Sequence, residues 1–260
     1  MHVKTAMKLA NAGVNLFIEK PLSNSMTGVS RLLEIIDKKK IITLMGCVLR
    51  FHPCIIKIKK IISNNEIGRV ISVHVENGSF LPDWHPYEDY RKSYAARQDL
   101  GGGVVLTNIH EIDYLHWFFG DISEVFSITG KYSNFNLNVD DLSLMLLKFK
   151  KGVVGEVHLD FFQRPNIRSC KIIGTKGTIH WDIKTNIVRV YDTKRKKWVA
   201  KLKLQNYDDN KMYVNEMSHF IECVKKNRNT INNIKEGIKI LEIALAIKKA
   251  GKINKPVILS

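Results

Sequence analysis

Leu16-Phe17-Ile18-Glu19-Lys20-Pro21-Leu22-Ser23 is the stretch of the sequence that decides the fold. It continues an apolar run that starts at residue 14, and short runs of this kind are typical of strands buried on both faces of a parallel sheet. Glu19-Lys20-Pro21 therefore follows the carboxyl end of a predicted strand, where open α/β sheets gather their binding and catalytic groups. A lysine at this position can reach a cofactor and its substrate.

The sequence around this strand predicts a helix–strand–helix–strand unit. Residues 3–12 have the spacing of an amphipathic helix, and residues 41–48 are predicted as a second buried strand. Ser25 is positioned to cap the helix between them. We interpret residues 1–48 as the closing half of a Rossmann-type parallel sheet, a partial dinucleotide-binding domain whose opening half is absent. The inward-facing residues of the second helix are expected to be Met26, Val29, Leu33 and Ile36.

Residues 49–260 predict a second, α+β domain with a large, mostly antiparallel open sheet. Pro53 fits the first turn of a helix, and Gly101-Gly102-Gly103 is expected to open another that runs to Gly120. Two helices, at about 209–226 and 234–250, are predicted to end the chain. Strands that follow one another with few helices between them imply antiparallel or mixed pairing. The strand candidates are residues 71–76, 125–129, 142–149, 153–161, 168–174, 178–183 and 187–191.

Composition excludes several classes of protein. No apolar run approaches the ~18 residues of a membrane span, and the N-terminus lacks a secretory pattern. The four cysteines are scattered, which favours free thiols in a reducing cytoplasm and argues against a zinc site. The net charge of +16 is compatible with nucleic-acid binding, but the lysines are dispersed along solvated helix faces and turns. We therefore expect a cytoplasmic protein without a nucleic-acid or membrane partner.

The sequence resembles the Gfo/Idh/MocA family of nicotinamide-dependent oxidoreductases, named for glucose–fructose oxidoreductase and inositol dehydrogenase. The resemblance runs essentially from end to end, and its specificity comes from the order and separation of several short motifs. The sequence departs from the family pattern in having no Gly-x-Gly-x-x-Gly loop for the cofactor pyrophosphate. The motifs are residues 19–23, 49–53, 81–86, 88–91, 93–96, 101–103, 110–114 and 174–179.

The resemblance implies that Lys20 and His110 are catalytic and that NAD or NADP is the cofactor. Removing a hydride from a carbinol requires removal of the hydroxyl proton. A lysine beside the positive nicotinamide has its neutral form favoured and can relay that proton, and an imidazole exchanges protons near neutrality. Two other interpretations of His110 remain: a structural histidine held by Asp113, or a metal ligand with Asp113 and another histidine. We expect no metal.

Thr107 occupies the position at which family members frequently carry an aspartate. A threonine can hydrogen-bond a substrate hydroxyl, but it cannot hold charge or raise the basicity of His110. This difference predicts a weaker proton relay or a different substrate.

The resemblance also assigns binding residues. Glu19, Lys20, Pro21 and Arg50 are expected to contact the cofactor. The loop at residues 80–100 has no clear period and is either a substrate cover or a structural Ω-loop. The expected substrate-binding residues are Lys20, His52, Trp84, Arg91, Thr107 and His110.

The function implied is that of a nicotinamide-dependent dehydrogenase acting on a carbinol of a sugar, cyclitol or nucleotide-activated sugar. The alternative is a truncated, non-catalytic family member that folds and oligomerises without binding the dinucleotide. Because the glycine loop is missing, we expect the chain alone to bind NAD(H) or NADP(H) very weakly. Expected partners are a second copy, contacting through the open sheet, and a separate chain that supplies the missing half of the Rossmann domain.

Overall fold

The computed structural model describes residues 2–259. It begins with α1 (His2–Asn11), β1 (Leu16–Glu19), α2 (Val29–Lys39) and β2 (Thr43–Gly46). The two strands pair in parallel, with Leu16 opposite Thr43 and Glu19 opposite Gly46, and α1 packs against α2. This is the helix–strand–helix–strand unit that the sequence predicts.

The start of α2 differs from the prediction. The helix begins at Val29 after Gly28, whose φ of 77° is left-handed, and Ser25 does not cap it. The Ser25 hydroxyl instead accepts a hydrogen bond from the Thr27 backbone N–H, and this local turn delays the helix. The buried face of α2 is formed by Val29, Leu32 and Ile36, whereas Met26 is exposed and Leu33 is half-buried.

The remainder of the chain builds a nine-stranded sheet in the order β10-β9-β8-β7-β3-β6-β5-β4-β11. All of its pairings are antiparallel except the parallel pair β3–β6. The prediction of a large, mostly antiparallel sheet is confirmed. Its strands are β3 (Val70–Gly78), β4 (Ile122–Gly130), β5 (Leu142–Phe149), β6 (Val154–Asp160), β7 (Ile167–Gly174), β8 (Gly177–Asp182), β9 (Ile187–Asp192), β10 (Lys197–Lys203) and β11 (Val257–Ile258).

The sequence did not predict β10 or β11. β10 is the edge strand of sequence KWVAKLK, and no residue in it is fully buried, so it lacks the alternation that marks a half-buried strand. β11 has two residues and pairs only with β4.

Five helices accompany the sheet: α3 (Pro53–Ser63), α4 (Val104–Thr107), α5 (His110–Phe119), α6 (Asn210–Lys225) and α7 (Ile234–Ile253). α3, α4 and α7 contact the strands directly. The single helix predicted after the glycine triplet is divided into α4 and α5, because Asn108 leaves helical geometry with φ −95° and ψ 35°. This division places His110 at the first residue of a helix.

The sheet has one covered face and one open face. In β5, Met145, Leu147 and Phe149 are buried, whereas Leu144 and Leu146 alternate with them on the exposed side. β1 and β2 belong to the same continuous hydrophobic core as the covered face. The Asn232 side chain donates to the Met45 carbonyl at 3.1 Å, so the segment before α7 holds β2 against the rest of the molecule.

No helix in residues 2–259 combines the length and apolar character needed to cross a membrane. All four cysteines are buried free thiols, as expected from their spacing.

Candidate functional site

Lys20 links the two parts of the fold. It follows the last residue of β1, and its Nζ donates a hydrogen bond to the backbone oxygen of Thr107 at 2.9 Å. Thr107 is the last residue of α4, 87 positions along the chain. The carboxyl end of the parallel sheet is therefore in contact with the helical segment that carries His110.

His110 begins α5 and is buried. Burial lowers its pKa well below the usual range, and the positive charges of Lys20 and Arg168 lower the pKa further. The imidazole is therefore neutral at pH 7 and can accept a proton. Its Nδ1 has no hydrogen-bond partner within residues 2–259.

Among the described residues, Asp113 forms no hydrogen bond with His110. The interpretation of His110 as a structural histidine held by Asp113 therefore lacks the contact it requires. Both carboxylate oxygens of Asp113 accept hydrogen bonds from Arg50, at 2.9 Å each. The part of the chain that the structure describes contains no cluster of three His, Cys, Asp or Glu side chains able to hold a metal ion.

Three residues close to His110 in the chain carry buried polar atoms without partners. Thr107 Oγ1, Asn108 Nδ2 and Glu111 Oε2 are buried, and none has a hydrogen-bond partner among the described residues. Buried polar groups in native proteins are nearly always hydrogen-bonded. A local concentration of unpaired ones therefore points to a site that a polar ligand completes.

A cavity of about 370 Å³ opens beside Lys20. One wall is formed by the end of β1 and the residues after it, and the other by the loop before α4. Gly102 lets this loop fold tightly, because a Cβ there would collide with the backbone oxygens of Tyr94 and Ala95. The cavity is lined by His2, Glu19, Lys20, Pro21, Ser23, Asn24, Tyr94, Asp99, Leu100 and Gly101.

Arg50 is not available for the cofactor contact expected of it. Besides its two bonds to Asp113, Nη1 donates to the Ile231 carbonyl at 3.0 Å, and the guanidinium lies over the Trp117 ring. The side chain is fully buried, and Asp113 is the main group that raises its pKa. Arg50 joins α5 to the segment before α7, and we correct its expected role to a structural one.

His52 likewise has a structural role in place of the expected substrate contact. Its Nδ1 accepts a hydrogen bond from the Cys54 backbone N–H at 3.1 Å and so caps α3. The ring is fully buried between Trp181 and Tyr207. Burial, with a smaller effect of the Arg168 charge, lowers its pKa to about 4. A neutral histidine cap inside the core is not reachable by a substrate.

The loop at residues 80–100 folds into short 3₁₀ turns and keeps two expected binding residues away from Lys20. Trp84 donates through Nε1 to Ser79 Oγ at 2.8 Å and packs edge-on against Phe161, which anchors the loop. Arg91 is exposed and pairs with Asp89. Neither residue lines the Lys20 cavity, whereas Tyr94, Asp99 and Leu100, which the sequence did not single out as ligands, do.

Arg168 and Glu111 form an ion pair that sequence reasoning missed. Arg168 Nε donates to Glu111 Oε1 at 2.8 Å, and Glu111 directly follows His110. The signal in the sequence was an arginine two residues before Cys170, in register with the buried side of the predicted strand. A charge on that side requires a partner on the helices that cover it.

Comparisons with known proteins agree with this geometry. The sequence model of an oxidoreductase family, C-terminal α/β domain, matches residues 59–259. Levoglucosan dehydrogenase of Pseudarthrobacter phenanthrenivorans is 24% identical over 205 residues, which are 69% of this chain and 52% of that protein. Myo-inositol 2-dehydrogenase of Thermotoga maritima is 25% identical over 260 residues, which are 96% of this chain and 74% of that protein.

Solved structures share the whole described fold. Levoglucosan dehydrogenase in complex with NADH superimposes with a TM-score of 0.90, covering 100% of this chain and 77% of that one at 18% identity. At this identity the likeness shows the fold alone. The chain spans about half the length of the levoglucosan dehydrogenase that it matches in sequence.

Proposed function

Because the chain belongs to the Gfo/Idh/MocA family of oxidoreductases, we propose that it is a nicotinamide-dependent dehydrogenase of a sugar, cyclitol or nucleotide-activated sugar. The observation that carries the proposal is the 2.9 Å hydrogen bond from Lys20 Nζ to the Thr107 backbone oxygen. This contact brings the lysine of the Glu-Lys-Pro motif to the segment that presents His110. Two groups suited to proton transfer thus lie on segments that are in contact where the two parts of the fold join.

In the proposed reaction Lys20 and His110 handle the hydroxyl proton. Lys20 orients the carbinol through its ammonium or amine, and neutral His110 accepts the proton as the carbinol is oxidised. The lowered pKa keeps the His110 ring neutral at pH 7, so a ring nitrogen is free to accept the proton, but it also makes the ring a weaker base than an ordinary histidine. In the reverse direction the same groups return the proton to the carbonyl.

The residues at the end of β1 fit the nicotinamide end of NAD or NADP. Glu19, Lys20 and Pro21 line the cavity of about 370 Å³, and Lys20 contacts the segment that carries the unpaired atoms of Thr107 and His110. When bound, the nicotinamide supplies or accepts the hydride. The chain's part is to orient the carbinol, exclude water and move the proton.

An oxidation assay tests the proposal. The protein is mixed with NAD⁺ or NADP⁺ and a panel that includes myo-inositol and levoglucosan, and reduced cofactor is measured by its absorbance. Because the chain is expected to bind the cofactor very weakly, NAD⁺ or NADP⁺ is supplied in large excess, and we expect slow substrate-dependent reduction that Lys20→Met abolishes and that Lys4→Met, on an exposed position of α1, leaves intact. A correctly folded protein that reduces neither cofactor with any member of the panel would favour the non-catalytic alternative.

We propose further that residues 1–48 and 49–260 are the two domains, and that copies associate through the open sheet face. The exposed apolar side chains on that face support the second proposal: they include Ile128, Leu144, Leu146 and Ile173. Leu146→Glu should shift the molecular mass measured by sedimentation toward the monomer. An unchanged mass would place the interface elsewhere.

A further inference from the structure

Arg168 lies on the covered face of the nine-stranded sheet. It is the second residue of β7, and Cys170 and Ile172 follow it on the buried side of the strand. Its Nε is engaged by Glu111, yet a quarter of the side chain remains exposed (24%) while Glu111 is fully buried. Within residues 2–259 its two terminal nitrogens have no hydrogen-bond partner. A half-satisfied and partly exposed guanidinium therefore lies beside the start of α5.

Asn77 lies next to Arg168 on the covered face of the sheet. It is the cross-strand partner of Arg168 in the β3–β7 pairing and continues the buried row of Val73 and Val75. Asn77 is 7% exposed, and its Nδ2 lacks a hydrogen-bond partner among the described residues. Side chains directly opposite on neighbouring strands lie within ~5.5 Å at Cβ. Two sets of unpaired N–H donors thus lie side by side.

Arg168 and Asn77 are close to His110. Glu111, which binds Arg168, is the next residue, and the Arg168 charge acts on the His110 ring along with that of Lys20. Lys20, at the end of β1, forms no ion pair among the described residues, and Arg168 is balanced by the single charge of Glu111. The surroundings of His110 therefore combine two positive side chains, Lys20 and Arg168, with several unpaired donors, and the carboxylates of Glu19 and Asp99 line the same cavity as Lys20.

We propose that Arg168 and Asn77 bind a carboxylate of the substrate, so that the substrate is an acidic sugar or cyclitol derivative such as a hexuronate. The inference rests on the proposed function, since it places the carboxylate beside the carbinol that Lys20 and His110 act on. The carboxylate accepts from the terminal nitrogens of Arg168 and from Asn77 Nδ2. Glu111 fixes the guanidinium through Nε and leaves its outer edge free for the substrate.

A carboxylate fits better than a phosphate for two physical reasons. The free edge of a guanidinium presents a planar fork that matches the two oxygens of a carboxylate. The charge also favours a monoanion, because a dianion would bring an excess negative charge toward buried Glu111.

Calorimetric titration tests the assignment with two matched pairs of probes: D-glucuronate against D-glucose, and D-galacturonate against D-galactose. D-Glucose 6-phosphate is the third acidic probe. We expect at least one uronate to bind about tenfold or more tightly than its neutral hexose, the scale of one charge-assisted hydrogen bond. Arg168→Gln should remove that preference. Arg189→Gln, the same change on the exposed side of β9, should keep it.

A second variant controls for misfolding of Arg168→Gln. Arg168→Gln leaves Glu111 buried without its partner, so the double variant Arg168→Gln/Glu111→Gln, which removes both charges, is titrated beside it. If neither uronate is preferred over its hexose, or if the preference survives in the double variant, the assignment is wrong. Preference for the phosphate over both uronates would also overturn it.

The same variants separate this inference from the proposed function. Oxidation of neutral polyols that depends on Lys20 but not on Arg168 would overturn the carboxylate site alone. A uronate preference that depends on Arg168, in a protein without Lys20-dependent cofactor reduction, would overturn the proposed function and leave the carboxylate site standing.

Discussion

At the scale of single residues, the motifs assigned Lys20, His110, Arg50 and His52 to one site, whereas the structure holds Arg50 and His52 in contacts within the protein. The position of Lys20 after a strand follows from local pattern, whereas the position of His110 at the start of a helix does not, because one continuous helix was predicted there. The pairing of Arg50 with Asp113 joins residues 63 positions apart, and no local pattern specifies it. A charge with a fixed intramolecular partner cannot be distinguished from a ligand-binding charge until the fold is known.

Thr107 provides a prediction at this scale. Replacing it with aspartate adds a carboxylate near Lys20 and His110, and a nearby negative charge favours the protonated imidazole. Thr107→Asp should therefore raise the pKa of His110 from its lowered value and increase turnover near pH 7. The pH dependence of kcat/KM measures both effects. Thr107→Asn is the uncharged control, and equal profiles for the two variants would show that charge at this position has no influence on the relay.

At the scale of elements, strands with strict alternation were predictable. Residues 153, 155, 157, 159 and 161 alternate with more polar positions, and all five are buried in the structure. The edge strand β10 was not predictable. None of its residues is fully buried, so its sequence does not show the alternation of apolar and polar residues that marks a strand with one covered face. The break between α4 and α5 was also missed, since the two residues between the helices, Asn108 and Ile109, include neither glycine nor proline.

Helix α6 carries a buried acid that predicts an unusual pH dependence of stability. Glu216 is buried, and burial, followed by the charges of Glu19 and Asp113, raises its pKa to about 8. The unfolded carboxyl has a pKa near the ordinary value of about 4.3. The stabilising contribution of this group is complete below an unfolded pKa of about 4.3 and is lost as the pH rises toward 8, by about 5 kcal/mol at most.

Glu216→Gln should therefore stabilise the protein at pH 8 by about 1–3 kcal/mol and have little effect at pH 4.5. Urea unfolding at the two pH values measures the difference. Glu222→Gln on the same helix is the control, because Glu222 is exposed and paired with Lys226. A Glu216→Gln protein that gains no stability at the higher pH would show that the carboxyl is not held in its protonated form.

At the scale of the whole molecule, the sequence predicted two unequal sheets, and the structure contains them. β1 and β2 have four residues each and pair only with one another within the described chain, whereas β6 lies between β3 and β5. What the sequence could not show is how the sheets are joined. Contacts such as Lys20–Thr107 and Asn232–Met45 link distant positions and follow from three-dimensional packing alone.

This asymmetry predicts unequal local stability. Amides of β1 should exchange with solvent deuterium faster than those of β6, because a short strand with one partner opens more easily than a central strand. Hydrogen exchange followed by mass spectrometry, with the oligomeric state measured on the same sample, provides the comparison. Uniformly slow exchange in a monomer would contradict the expectation.

The central claim is that Lys20 and His110 act as one acid–base unit, and a double-mutant cycle on turnover tests it most directly. With a substrate that the wild-type protein oxidises, Lys20→Ala and His110→Ala should each reduce kcat by about 10² or more, the scale of a lost acid–base group. The double variant should lose far less than the product of the two losses, because groups that act as a unit are non-additive. Near-normal turnover in both single variants, with folding intact, would contradict the claim. The resemblance to the family would then concern the fold and not these catalytic residues.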